Sequence, residues 1–338
     1  MGILEDCIDS CKANPGTVVF PDCLDPRVLK AAARLKAEKV AIPLLVHSPF
    51  AVRSKMLETR QRLSGFTVID HTCKELLEKN IVDFTNIQKE KGKPVTDQQA
   101  EQAMKCSLGA SAMMVRNKDV EVGIAGNLSS TADVLRAGIS IIPRKQKTIS
   151  SFFLMIAPDG KNQYILADCA VVPEPTSEIL ADIAIASAEK AKNLLKEEPR
   201  VAMLSFSTKG SSQHPRVRII RDAVELIKQQ APDMLVDGEL QLDAAIAPEV
   251  ASLKAPASHI KGNANVLVFP SLEAGNIGYK MLQRMAGYTA LGPFLQGFEG
   301  GWHDLSRGCS TTDLFNVAVL GLCMQRGDVV RPAGEMRY

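Results

Sequence analysis

An α/β fold of two domains with mainly parallel sheets is what this sequence predicts, on three observations. Short apolar runs alternate with longer amphipathic stretches through most of the chain, the pattern that gives parallel strands joined by helices. A length of 338 residues exceeds what one hydrophobic core comfortably serves, and a hydrophobic content of 46% suffices to fill two. One segment, SFFLMIAPDGKNQYILAD at 151–168, breaks the alternation with two β-rich runs around Pro158-Asp159-Gly160-Lys161. That is hairpin turn chemistry, and it marks an antiparallel start to the second domain.

The elements follow in order. TVVF from residue 17 reads as a strand, and Asp25-Pro26 then supplies an N-cap and a first-turn proline for a helix running to about Glu38. The apolar run VAIPLLV at 40–46 completes a βαβ unit. VEVGIA from 120, VAMLSF from 201 and VLVF from 266 are further strands, each followed by turn residues and a helical pattern. The polar, basic loop IPRKQKT sets the domain boundary near 146, and the last helix, Ser310 to about Arg326, is a candidate to return to the first domain. The expected division is 1–146 with 303–338, and 147–302.

Composition narrows the function. Forty Lys and Arg against thirty-eight Asp and Glu leave a net charge of +2 with no long basic block, so nucleic acid is not an expected partner. The longest apolar runs, such as Val40–Val46, are far short of a membrane span, and Glu5, Asp6 and Asp9 stand where a signal peptide carries cations. A cytoplasmic protein without a membrane partner is expected. The eight cysteines contain no CxxC pair and the histidines no HxH or HExxH, so reduced, mostly buried thiols and no metal are expected.

Three segments carry polar groups at strand-to-helix junctions. In GIAGNLSSTADVLRAGI (123–139), Ser130-x-x-Asp133 is a capping-box pattern at a helix start, where free backbone N–H groups also attract anions. Residues 127–131, including Asn127, Ser129, Ser130 and Thr131, therefore read either as an ordinary cap or as a phosphate site, with Arg136 one turn further on. PSLEAGNIGYKMLQR (270–284) is not GxGxxG, so it is no dinucleotide fingerprint. Asn276, Tyr279 and Lys280 there stand in the first turns of a helix, for packing or for a bound phosphate. HDLSRGCSTTD (303–313) places a hydroxyl, a guanidinium and a carboxylate, from Ser306, Arg307 and Asp313, within eight residues. Acyl transfer from a thioester to phosphate needs such groups: an oxyanion donor, a cation for phosphate and a base for the thiol. Ser310-x-x-Asp313 is itself a capping box, so Asp313 has a structural reading as well. Cys309 at a helix start is a candidate nucleophile with His303 as nearest base, or a small buried hydrophobe.

Together GNLSSTADVLRAGI, FPSLEAGNIGYKMLQR and HDLSRGCS resemble the phosphate acetyltransferase (phosphotransacetylase) family, and the likeness extends from VVFPDCLDPRVLKAA over nearly the whole chain. GNLSST and VAMLSFSTKGSSQHP are similar to its ethanolamine-utilisation branch. The resemblance implies two α/β domains of the isocitrate/isopropylmalate dehydrogenase-like type, a cleft between them and a homodimer. It implies the reaction acetyl-CoA plus phosphate to CoA plus acetyl phosphate, by direct attack in a ternary complex, with coenzyme A as substrate and no permanent cofactor. Asp313 is then the base toward the CoA thiol, Ser306 the transition-state stabiliser, Arg307 the contact to acetyl carbonyl or phosphate, and Arg136 a CoA or phosphate contact. Where many members carry an arginine before the KxKG stretch, this chain has Gln88, leaving Lys89 or Lys91 to substitute. A propanoyl- or butyryl-transferring relative, a non-catalytic acyl-CoA sensor and a nicotinamide-dependent dehydrogenase are the competing readings.

Overall fold

Local chemistry explains where most helices of this computed structural model begin. Asp25 accepts a hydrogen bond from the Arg27 amide at 2.8 Å with Pro26 in the first turn, and Ser48, Ser130 and Ser271 likewise cap the helices that follow them. The structure describes residues 2–60, 65–195 and 197–326. In chain order these form α1 (Ile3–Ala13), β1 (Gly16–Phe20), α2 (Pro26–Ala37), β2 (Ala41–Val46), α3 (Pro49–Glu58), β3 (Thr67–Ile69), α4 (Lys74–Glu90), α5 (Asp97–Met104), α6 (Ser107–Arg116), β4 (Val122–Ala125) and α7 (Thr131–Ile141). There follow β5 (Ser150–Ile156), β6 (Gln163–Ala167), α8 (Ser177–Leu195), β7 (Arg200–Leu204), α9 (Pro215–Gln230), β8 (Leu235–Leu240), α10 (Leu242–Ile246), α11 (Pro248–Lys254), β9 (Val266–Val268), α12 (Leu272–Met285) and β10 (Thr289–Gln296). The described residues end with β11 (Gly301–Asp304) and α13 (Thr311–Arg326).

Two compact units result, one of residues up to Lys145 with those from Phe298 onward, the other of Gln146–Gly297. The first holds a five-stranded, wholly parallel sheet in the order β11-β4-β1-β2-β3. The second holds six strands ordered β10-β5-β6-β9-β7-β8, parallel except for the antiparallel β10, β5 and β6 pairings. The hairpin β5–β6 is the antiparallel excursion expected at 151–168.

α13 is buried at every position from Leu314 to Met324 and packs on α1, α2, β4 and β11. A helix apolar on all sides needs such a cage. Trp302 on β11 is fully buried, donates its indole N–H to the Val134 carbonyl at 3.0 Å, and lies so close to Gly123 and Gly138 that a Cβ at either would stand within 2.8 Å of its ring. Only glycine permits this approach of β4, β11 and α7. Among the described residues no helix is long and apolar enough to cross a membrane, and no cluster of His, Cys, Asp or Glu is arranged to hold a metal ion.

Candidate active site

Strand order in the first sheet reverses at β1, with β2 and β3 on one side and β4 and β11 on the other. In open α/β sheets such a switch point opens a crevice at the carboxyl ends of the strands. The loops leaving β1, β4 and β11 there carry Asp22 and Asp25, with Arg27 following in the first turn of α2, then Asn127–Ser130, then Leu305–Ser310.

Ser306 and Arg307 stand exposed on the loop after β11. The Ser306 hydroxyl accepts from the Gly308 amide at 3.2 Å and its carbonyl from the Cys309 amide at 2.9 Å, which closes a tight turn. Ser310 and Asp313 form the reciprocal cap of α13: the Asp313 amide donates to the Ser310 hydroxyl oxygen at 3.1 Å, and Asp313 Oδ2 accepts from the Ser310 amide at 2.7 Å and its hydroxyl at 2.9 Å. Asp313 is thereby half-exposed in the first turn of a rigidly caged helix, so its capping role and a role toward substrate are compatible.

Beneath this loop lies Arg27. Its Nη1 donates to the carbonyls of Arg307 (2.6 Å) and Cys309 (2.8 Å), while Nη2 donates to Asp25 Oδ2 (2.6 Å) and the Asn127 carbonyl (3.4 Å) and Nε to Asp25 Oδ1 (3.1 Å). Cys309 is buried, with its Sγ accepting from Asn127 Nδ2 at 2.9 Å. Burial pushes the Cys309 thiol up, against the opposing pull of Arg27 and Asn127, which keeps it protonated and poorly nucleophilic.

The loop after β4 wraps around a buried carboxylate. Asp22 Oδ2 accepts from the amides of Gly126 (2.9 Å), Leu128 (3.1 Å) and Ser129 (3.2 Å), and Oδ1 from the Ser129 hydroxyl (2.6 Å). Two of the amides expected to meet phosphate at 127–131, those of Leu128 and Ser129, are therefore engaged by Asp22, and the Ser129 hydroxyl with them. Ser130 caps α7 through Asp133, and Arg136 pairs with the same Asp133 at the surface. Asp304, at the end of β11, is buried with the Thr131 hydroxyl as partner. Its carboxyl is pushed up to about 6, chiefly by burial and further by Asp22, with Thr131 opposing.

A groove of about 690 Å³ is lined by Lys91, Lys93, Arg136 and Arg144 around an apolar strip of Ala132, Leu135 and Ile139. Gln88 is buried and donates to the Ser140 carbonyl at 2.8 Å, where Lys91 also donates at 2.9 Å. Burial, then Arg116, Arg144 and Lys93, push the Lys91 ammonium below its ordinary range. A crowd of like charges beside an apolar strip suits an extended polyanion with a nonpolar part.

Asn276, Tyr279 and Lys280 lie in the second unit on α12. Asn276 donates to the Cys169 carbonyl at 3.0 Å, the Tyr279 ring stacks on Phe153 with centroids 4.0 Å apart, and Lys280 is exposed. The first two are thus engaged in packing of their own unit.

The family described as phosphate acetyl/butaryl transferase matches residues 2–322. The chain belongs to that family. It is 43% identical to the phosphate acetyltransferase of Thermoanaerobacterium thermosaccharolyticum over 94% of this chain and 97% of that one. Among solved structures it is similar to a phosphotransacetylase from Streptococcus pyogenes (35% identity, TM-score 0.90) and to the EutD phosphotransacetylase from Staphylococcus aureus (37% identity, TM-score 0.86), each match covering 96% of this chain and 98% of the other. In this phosphate acetyl/butaryl transferase chain, sequence reasoning missed Asp22, Arg27 and Asp304. The partners of Arg27 lie as many as 282 positions away, so no local pattern marks it.

Proposed function

We infer that this chain is a phosphate acetyltransferase, interconverting acetyl-CoA and phosphate with CoA and acetyl phosphate by direct transfer in a ternary complex. The observation that supports the site assignment is that Ser306, Arg307 and Asp313 sit on the loop after β11 and in the first turn of α13, at the switch-point end of the sheet, beside loops held from within by Arg27 and Asp22. A phosphate oxygen attacks the thioester carbonyl carbon, the new C–O bond forms, and the C–S bond breaks with its electron pair leaving on sulfur. Arg307 holds the phosphate and carbonyl oxygens, Ser306 donates to the developing oxyanion, and Asp313 exchanges the proton of the CoA thiol. The protonated, buried Cys309 supports direct attack over an acetyl-cysteine intermediate.

The cationic groove receives the phosphates of CoA, with Arg136, Lys93 and Arg144 as contacts and Lys91 anchored beside them. Gln88, tied to the Ser140 carbonyl, supports the groove wall in place of a guanidinium contact. Asn127, Ser130 and Thr131 border the acyl and phosphate end. Asn276, Tyr279 and Lys280 are retained as contacts only through exposed Lys280. CoA enters as substrate, and the reading includes no permanent cofactor, a cytoplasmic setting and a homodimer. For the dimer, α12 offers Ile277, Met281 and Met285 as an exposed apolar stripe at helical spacing.

Purified protein should release CoA from acetyl-CoA only when phosphate is present. Thiol release of equal rate without phosphate contradicts the reading and makes the protein a thioesterase. Rates with acetyl, propanoyl and butanoyl phosphate then set the acyl preference, with acetyl expected fastest.

A further inference from the structure

We propose that Arg27 is a positioning residue for acyl transfer: its guanidinium locks the Ser306–Cys309 loop onto the loops leaving β1 and β4, holding Ser306 and Arg307 in one reactive arrangement. This rests on the function inferred above. The geometry is specific to a guanidinium. Nη1 bridges two carbonyls two residues apart, those of Arg307 and Cys309, so the orientation of the loop backbone is fixed at two points. The opposite edge of the fork grips both oxygens of Asp25, which is buried and itself caps α2 through the Arg27 amide. Nη2 adds the Asn127 carbonyl, tying in the third loop. A planar fork of five donors can satisfy three loops at once, whereas an ammonium cannot.

The same contacts say what Arg27 does not do. Its donors face protein acceptors and its charge is paired with Asp25. It therefore acts through the loop and not by touching the acyl group or phosphate. Apart from this clamp, the turn at Ser306–Cys309 is held by its own two hydrogen bonds and by the Asn127 Nδ2 bond to Cys309 Sγ at 2.9 Å, while Ser306, Arg307 and Gly308 are exposed. Loss of the clamp frees the groups that meet the transition state while leaving the CoA groove on α4 and α7 in place.

The test uses full-length Arg27→Met, Arg27→Lys and Asp25→Asn, with two readouts. Steady-state kinetics should show kcat falling about a hundredfold for Arg27→Met, the scale that loss of near-attack geometry produces. KM for CoA should stay within about threefold, and Arg27→Lys should recover little of the rate. Peptide-resolved alkylation of Cys309 by iodoacetamide reads the loop without any need for activity. Cys309 is 7% exposed in the locked loop. Its labelling should rise roughly tenfold in Arg27→Met as the loop opens. The loss of a neighbouring cation acts oppositely, since it disfavours the thiolate, so faster labelling cannot come from charge alone. Slower or unchanged labelling, or kcat within threefold of the parent, overturns the proposal. If Arg27→Met does not fold, Asp25→Asn, which retains the guanidinium but weakens its anchor, decides by the same two readouts, with an intermediate loss expected. An inactive parent protein refutes the inferred function, while Cys309 labelling still decides whether Arg27 locks the loop.

Discussion

Asp304→Asn offers a quantitative test of the electrostatics under the site. Asp304 is 3% exposed, with its Oδ1 buried without a hydrogen-bond partner, next to the Asp22 carboxylate. Burial first, and Asp22 second, push its carboxyl from the ordinary 3.8 to about 6, with Thr131 pulling the other way. A folded-state value above the unfolded one means that the folded chain holds the proton more tightly. Between about pH 4 and about pH 6 the unfolded chain has lost that proton while the folded chain keeps it, so stability falls as pH rises through this window. At 1.36 kcal/mol per tenfold change in proton affinity, the gap between 3.8 and about 6 corresponds to a ceiling of about 3 kcal/mol lost above the window. Asparagine is neutral at every pH and nearly isosteric, so the variant should match the parent near pH 4 and be more stable by about 1–3 kcal/mol near pH 8. Urea unfolding across that range, read by circular dichroism, gives both curves. Parallel curves, or a variant less stable near pH 8, refute the argument.

Two further outcomes follow from other groups. Glu239 is buried and accepts from Arg221 at 2.7 and 3.0 Å, from Gly210 at 2.8 Å and from Ser207 at 3.0 Å; burial opposes its ionisation, but these partners bring it down to about 2. Its stability contribution is present above about pH 4.5 and lost as pH falls toward 2, so Glu239→Gln should cost about 2 kcal/mol near neutrality and flatten the acid limb of thermal unfolding. Asp313→Asn keeps a cap acceptor for Ser310 but cannot exchange a proton. Turnover should fall roughly a hundredfold with stability within about 0.5 kcal/mol of the parent, and near-parental turnover would remove its catalytic role.

The parts of the fold that local patterns dictate were legible in the sequence. TVVF, VAIPLLV and VLVF form strands where expected, the Pro158–Lys161 turn joins a hairpin, and Asp25, Ser130 and Ser310 cap helices, because each rests on neighbours within a few residues. β3 was missed because three residues, one exposed and two half-buried, carry little signal. β8 was missed because it contains Asp237 and Glu239, whose burial is licensed by Lys209 and Arg221 from distant segments. β11 hides because His303 and Asp304, though buried, read in the sequence as polar loop residues. At the site, the Ser310–Asp313 cap was readable, whereas the Arg27 clamp and the Asp22 anchor depend on loops that only the parallel sheet brings side by side.

Direct transfer without an acetyl-enzyme is the central claim, and isotope exchange tests it most directly. Acetyl phosphate is incubated with radiolabelled phosphate and the protein, with CoA omitted. A ternary-complex enzyme with a protonated, buried Cys309 should exchange no label into acetyl phosphate until CoA is added, after which exchange becomes rapid. Label entering acetyl phosphate without CoA, and lost in Cys309→Ala, would contradict the account and establish an acetyl-cysteine intermediate.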